Sequence, residues 1–160
     1  MKPAKFEIEA WAYGYCLPVA PGSSGVSASG WIARNPSTKE VVAQREIPSR
    51  TSNRGTWEAG IMAVKGIVDL APPTTVIVVR MDDETLMGAI NAGFINSDGK
   101  PNAGEEFWSP LQCVRDEMRL RLTAVKASAQ DEVMNALKRR VKAASHGGEF
   151  RRRFASAKDN

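Results

Sequence analysis

Three alternating segments in a row, followed by a single change of hydrophobic period, leave this chain few topologies. In FEIEAWAY (6–13), Phe6, Ile8, Ala10 and Ala12 fall on one face and Glu7, Glu9, Trp11 and Tyr13 on the other, the two-residue repeat of a strand. The strand ends at Gly14, and LPVAPGSSG (17–25) is dense in turn formers. VSASGWIARN then reads as a second strand, NPSTK as a hairpin turn and EVVAQREIP as a third strand. Successive strands joined by short turns make an antiparallel meander.

From Asn53 or Arg54 to about Leu70 the repeat is helical, with Trp57, Ile61, Val64 and Val68 on one face. Ser52 or Asn53 can cap that helix, and Pro72-Pro73 stops it. TTVIVVRM is continuous and β-branched, which suits a strand covered on both sides. DDETLMGAINAGF opens with acids, as a helix N-terminus prefers, and carries Leu86, Ile90 and Phe94 on one stripe. FINSDGKPNAG is a loop. EEFWSPLQCVRDEM is helical, with Pro110 tolerated only near its start. RLRLTAVKA alternates as a fifth strand, and AQDEVMNALKRRVKAA is the last helix. The order β-β-β-α-β-α-α-β-α predicts an α/β fold: a mixed five-stranded sheet flanked by helices. One domain is expected over 1–145, with a flexible basic tail over 146–160.

Only Cys16 and Cys113 are present, without metal or disulfide spacing, and no apolar run is long enough to span a membrane. The first residues lack the apolar core of a signal peptide. These features predict a reduced, cytoplasmic protein that makes no membrane contact. The net charge of +4 is unevenly placed. Residues 138–160 hold eight Lys or Arg against Glu149 and Asp159, so the rest is net negative. A basic end of this kind attracts phosphate.

The element order and the stretch YGYCLPVAPGSSGVSASGWIARNPSTKEVVAQREIPSRTSNRGTWEAGIMAV (13–64) resemble the ribonuclease H type I family, as VIVVRMDDETLMGAI does more weakly. The resemblance covers about residues 5–145. It implies a ribonuclease H-like fold, cleavage of RNA in RNA–DNA hybrids, and two Mg²⁺ ions held by four carboxylates, because hard cations at an in-line displacement need clustered oxygen ligands. In this chain the four acid positions fall on Tyr13, Thr56, Asp82 and Asn135. The family's histidine loop is replaced by VKASAQDE. One acid of four cannot hold a metal pair tightly, and a phenol and a hydroxyl add no charge near neutral pH. The degenerate site therefore predicts no catalytic residues and no cofactor, with Asp82 a weak lone metal candidate.

Substitute ligands would be Glu58 for Thr56, Glu9 for Tyr13 and Asp131 for Asn135. Glu58, two residues on, points about 200° round the helix, and Glu9 lies roughly 13 Å back along the strand. Asp82, Asp83 and Glu84 read more simply as helix-capping acids. His146 reads as solvated and Cys16 as a small packed residue.

The resemblance also gives the turn at Thr51, Ser52, Asn53 and Arg54 a metal-independent role in gripping nucleic acid, beside the plainer role of a helix cap. Tyr13 and Tyr15 are expected to be exposed for base stacking, and Trp57 to close over the vacated site. Arg151, Arg152 and Arg153 are expected to reach phosphates from the tail. Three functions stay open: a nucleic-acid-binding or scaffold protein without catalysis, with hybrid, duplex or single strand as partner; a Mg²⁺-dependent nuclease with shifted ligands; and a protein–protein adaptor or inhibitor built on the aromatic site.

Overall fold

The computed structural model describes residues 6–16, 25–51 and 55–158; side chains are described for all of these except 25, 26, 49–51, 55 and 146–158. Among the described residues the elements are β1 (Glu7–Cys16), β2 (Gly25–Arg34), β3 (Val41–Thr51), α1 (Gly55–Leu70), β4 (Val76–Met81), α2 (Glu84–Asn91), α3 (Glu105–Glu117), β5 (Arg121–Lys126) and α4 (Glu132–Lys158). They form one sheet in the order β3-β2-β1-β4-β5. The meander pairs antiparallel, with Tyr13 opposite Gly30, and the turn between β2 and β3 is held by Asn35, whose Oδ1 accepts from Ser37 N and Thr38 N. β4 joins β1 in parallel, with Trp11 opposite Arg80, and β5 joins β4 in parallel. The α/β order and the mixed five-stranded sheet follow the expectation from the sequence.

Alternation along β1 sends its residues to two cores. Ile8, Ala10 and Ala12 pack under α1 with Ile61, Val64, Ile67, Ile77, Val79 and Leu86. Trp11 packs on the other face under α4, with Ile32, Met134, Leu137 and Val141. Each large apolar side chain removed from water contributes roughly 1.5–3 kcal/mol. Covering both faces explains why β4 reads as a continuous apolar run.

One close approach positions the site. A side chain on Gly14 would stand 2.2 Å from Gly60 N, so β1 and α1 touch backbone to backbone. On the far edge, Asn91 imitates a neighbouring strand: its Nδ2 donates to Ala124 O at 2.9 Å, and Ala124 N donates to its Oδ1 at 2.8 Å. Arg115 donates from Nη2 to Leu122 O at 3.0 Å and from Nη1 to Ile90 O at 2.8 Å.

Several boundaries differ from the sequence reading. Thr51 is the last residue of β3, paired with Gly25, rather than part of a turn. Pro110 lies in the second turn of α3. The backbone of α4 runs unbroken to Lys158, so residues 146–158 continue a helix instead of forming the expected loose tail. Lys138, Arg140 and Lys142 lie within the part of α4 that the sequence reading also made helical. No helix among the described residues is long and apolar enough to cross a membrane.

Candidate functional site

Three of the four acid positions converge. Tyr13 near the end of β1, Thr56 in the first turn of α1 and Asp82 just beyond β4 line one small pocket, floored by Ala12, Gly14, Gly60, Met81 and Leu86, with Asp83 at its rim. The parallel pairing of β1 with β4 brings the first and third positions together, and the Gly14–Gly60 contact draws in α1. Its volume is about 20 Å³, room for roughly one water.

The fourth position does not join them. Asn135 turns its Nδ2 to Ala129 O at 3.2 Å, and Lys138, three residues further along α4, reaches the site instead. Lys138 Nζ lies 2.7 Å from Asp82 Oδ2 and 5.7 Å from the centre of the Tyr13 ring. An ammonium stands beside the one carboxylate that the three positions retain. Sequence reasoning counted Lys138 only as part of the basic end. The signal was its position three residues after Asn135, which puts both on one side of the helix.

The other acids have separate employment. Asp83 caps α2, accepting from Leu86 N at 3.0 Å, and Glu84 pairs with Lys126. Glu9 accepts from Arg34 Nε and Arg80 Nη1, each at 2.8 Å, and lies 3.4 Å from Lys39. The Arg34 hydrogen bond, and then the charges of Arg34, Arg80 and Lys39, hold its carboxyl below the usual range against the opposing effect of burial. Asp131 caps α4 and binds Trp11, while Glu58 does not line the pocket. None of the three substitute ligands lines the pocket with Asp82. Among the described residues there is no group of three or more His, Cys, Asp or Glu able to hold a metal ion.

Tyr13 and Tyr15 are half-buried rather than exposed, because α4 covers their face of β1. Their rings are 6.5 Å apart, and Lys142 Nζ sits 5.6 Å from the Tyr15 ring as Lys138 does from Tyr13. Burial, the nearby Asp82 charge and Tyr15 push the Tyr13 phenol up to about 12, so it stays neutral near pH 7. Trp57 packs partly buried against the α1 core and does not line the pocket it was expected to close over. Ser52, Asn53 and Arg54 lie outside the described residues, as do the side chains of Thr51, His146, Arg151, Arg152 and Arg153.

A pair of divalent ions would need several anionic oxygens. A neutral phenol, a hydroxyl and one carboxylate already bonded to an ammonium do not fit that requirement.

No protein-family model and no curated protein sequence matches the chain. Solved structures do. An N-terminal RNase H domain from Mycobacterium tuberculosis, solved as a fusion with maltose-binding protein, is 14% identical, with 89% of this chain and 96% of that one covered and a TM-score of 0.63. LC11-RNase H1 in complex with RNA/DNA hybrid is 17% identical, covering 81% and 92%, with a TM-score of 0.54. The foamy viral protease-reverse transcriptase in complex with RNA/DNA hybrid is 19% identical, with a TM-score of 0.58 over 89% of this chain, which spans only 20% of that longer protein. Together with the strand order, these likenesses establish that the chain has a ribonuclease H-like fold.

Proposed function

We propose that this chain is a catalytically inactive ribonuclease H-like protein that holds nucleic acid, or acts as a scaffold on it, through the face where the fold's nucleases bind substrate and through its basic C-terminal stretch. The observation that carries the reading is the Asp82–Lys138 pair at 2.7 Å. It gives the pocket an internal cation beside a single carboxylate, with Tyr13 and Thr56 as neutral neighbours. The solved complexes of similar structures with RNA/DNA hybrid support nucleic acid as the partner class. The nuclease alternative loses support because Glu9 and Asp131 are bonded elsewhere. The adaptor alternative loses support because lysines of α4 cover the rings of Tyr13 and Tyr15.

The test is incubation with a labelled RNA–DNA hybrid and Mg²⁺ or Mn²⁺, beside Asp82→Asn. Neither protein should cleave, and cleavage that disappears in Asp82→Asn overturns the reading. Calorimetry on a Tyr13→Asp, Thr56→Glu, Lys138→Asn variant should reveal Mg²⁺ affinity absent from the parent chain, because it restores acids and removes the resident cation.

A further inference from the structure

The aromatic face of β1 and one face of α4 run side by side, in matched steps from Tyr13 to Tyr15. Alternate strand residues are about 6.7 Å apart, and residues four apart on a helix advance about 6 Å. Over this step the two repeats stay in register, with Tyr13 under Lys138 and Tyr15 under Lys142. Further back, Trp11 meets Asp131, seven residues before Lys138, at 2.9 Å. The cations differ in what neutralises them. Arg34 and Arg80, over the Trp11 ring, share Glu9, and Lys138 has Asp82. Among the described residues no carboxylate pairs with Lys142, which is exposed at the end of the row nearest the basic stretch.

From this row we propose that Lys142 and Lys138 dock two consecutive backbone phosphates of a nucleic-acid strand without any metal ion. The inference rests on the nucleic-acid reading above and assigns it a site. An ammonium carries three N–H donors, and Asp82 takes one of those on Lys138, whose side chain keeps 30% of its exposure. Lys142 contributes a charge with no internal competitor among the described residues. The tyrosine rings hold both ammonium groups within 6 Å of their centres, so less side-chain freedom is lost on binding than for solvated lysines. One helical turn separates the two charges, a spacing comparable to that of neighbouring phosphates. Asp82 opposes this site, because it draws on Lys138 and repels phosphate. In a metal-holding site the same carboxylate would support binding, so its removal has opposite signs under the two mechanisms.

The experiment is fluorescence anisotropy with a labelled RNA–DNA hybrid and with single-stranded DNA, over a range of salt, in EDTA and in Mg²⁺, using the full chain. Affinity should not rise when EDTA is replaced by Mg²⁺, which as a phosphate counterion competes with the lysines. Lys142→Gln should bind about fivefold more weakly, with its log-affinity against log-salt slope reduced by about one on hybrid and somewhat less on the single strand. Lys142→Arg should retain the slope. Asp82→Asn should bind more tightly than the parent in EDTA. Binding that requires Mg²⁺, or that Asp82→Asn weakens, overturns the proposal. If the parent binds and Lys142→Gln matches it in affinity and slope, the row is not the site while nucleic-acid binding stands. If the parent binds neither probe, both readings fall.

Discussion

The indole Nε1 of Trp11 donates to Asp131 Oδ2 over 2.9 Å, and the other oxygen of the same carboxylate accepts from Met134 N at 2.9 Å. One side chain therefore caps α4 and fastens it to β1, 120 residues earlier. Asp131→Ala removes a helix cap and leaves a buried indole N–H unpaired, a combined cost of about 2–4 kcal/mol. Asp131→Asn should cost less, because an amide oxygen still caps. Urea unfolding of Asp131→Ala, Trp11→Phe and the double variant should give a coupling energy of about 1 kcal/mol or more. Additive losses would mean that the bond contributes nothing.

Two glycines should respond in opposite directions. Gly14→Ala would force a methyl into the α1 backbone at Gly60, where neither chain can yield without separating the strand from the helix. We expect a loss of about 3 kcal/mol or more. Gly88, exposed on α2, has nothing within 4 Å of the position its side chain would take. Gly88→Ala should stabilise by about 0.5–1 kcal/mol through a less flexible unfolded chain. Thermal unfolding of both variants checks the pair, and a tolerated Gly14→Ala would contradict the backbone contact.

The meander, the crossover to β4 and the helix order were legible because period-two and helical repeats each commit a segment to one face of a sheet or helix. The meeting of Tyr13, Thr56 and Asp82 was legible through family resemblance alone, since the three are far apart in sequence and share no local pattern. Lys138 was hidden by its setting. In NALKRRVK a lysine looks like solvated charge, and only the docking of α4 reveals that this one faces Asp82. The same docking explains why Tyr13 and Tyr15 are not the exposed rings that the family resemblance suggested. The extension of α4 through Gly147-Gly148 ran against glycine's low helix propensity, which is the signal that made that stretch read as a tail.

Stability should decline at both ends of the pH scale for different reasons. Glu9 has its carboxyl pKa lowered chiefly by the Arg34 hydrogen bond. Its contribution is present above the ordinary value of 4.5 and is lost as pH falls through the lower folded value. Tyr13 is shifted the other way. Its neutral form is favoured by the fold, so its contribution is present below pH 10 and is lost as pH rises toward about 12. Chemical denaturation at neutral pH, at acid pH and above pH 10 should show Glu9→Gln losing its deficit relative to the parent in acid, and Tyr13→Phe losing less stability than the parent in alkali. Parallel pH profiles for parent and variants would refute both assignments.

The amide of Asn91 and the guanidinium of Arg115 blunt the β5 side of the sheet, while β3 forms its other border. Along β5 the outward N–H and C=O of Ala124 and the C=O of Leu122 are thus already bonded within the molecule. A strand adding at that edge would first require Asn91 and Arg115 to let go of β5.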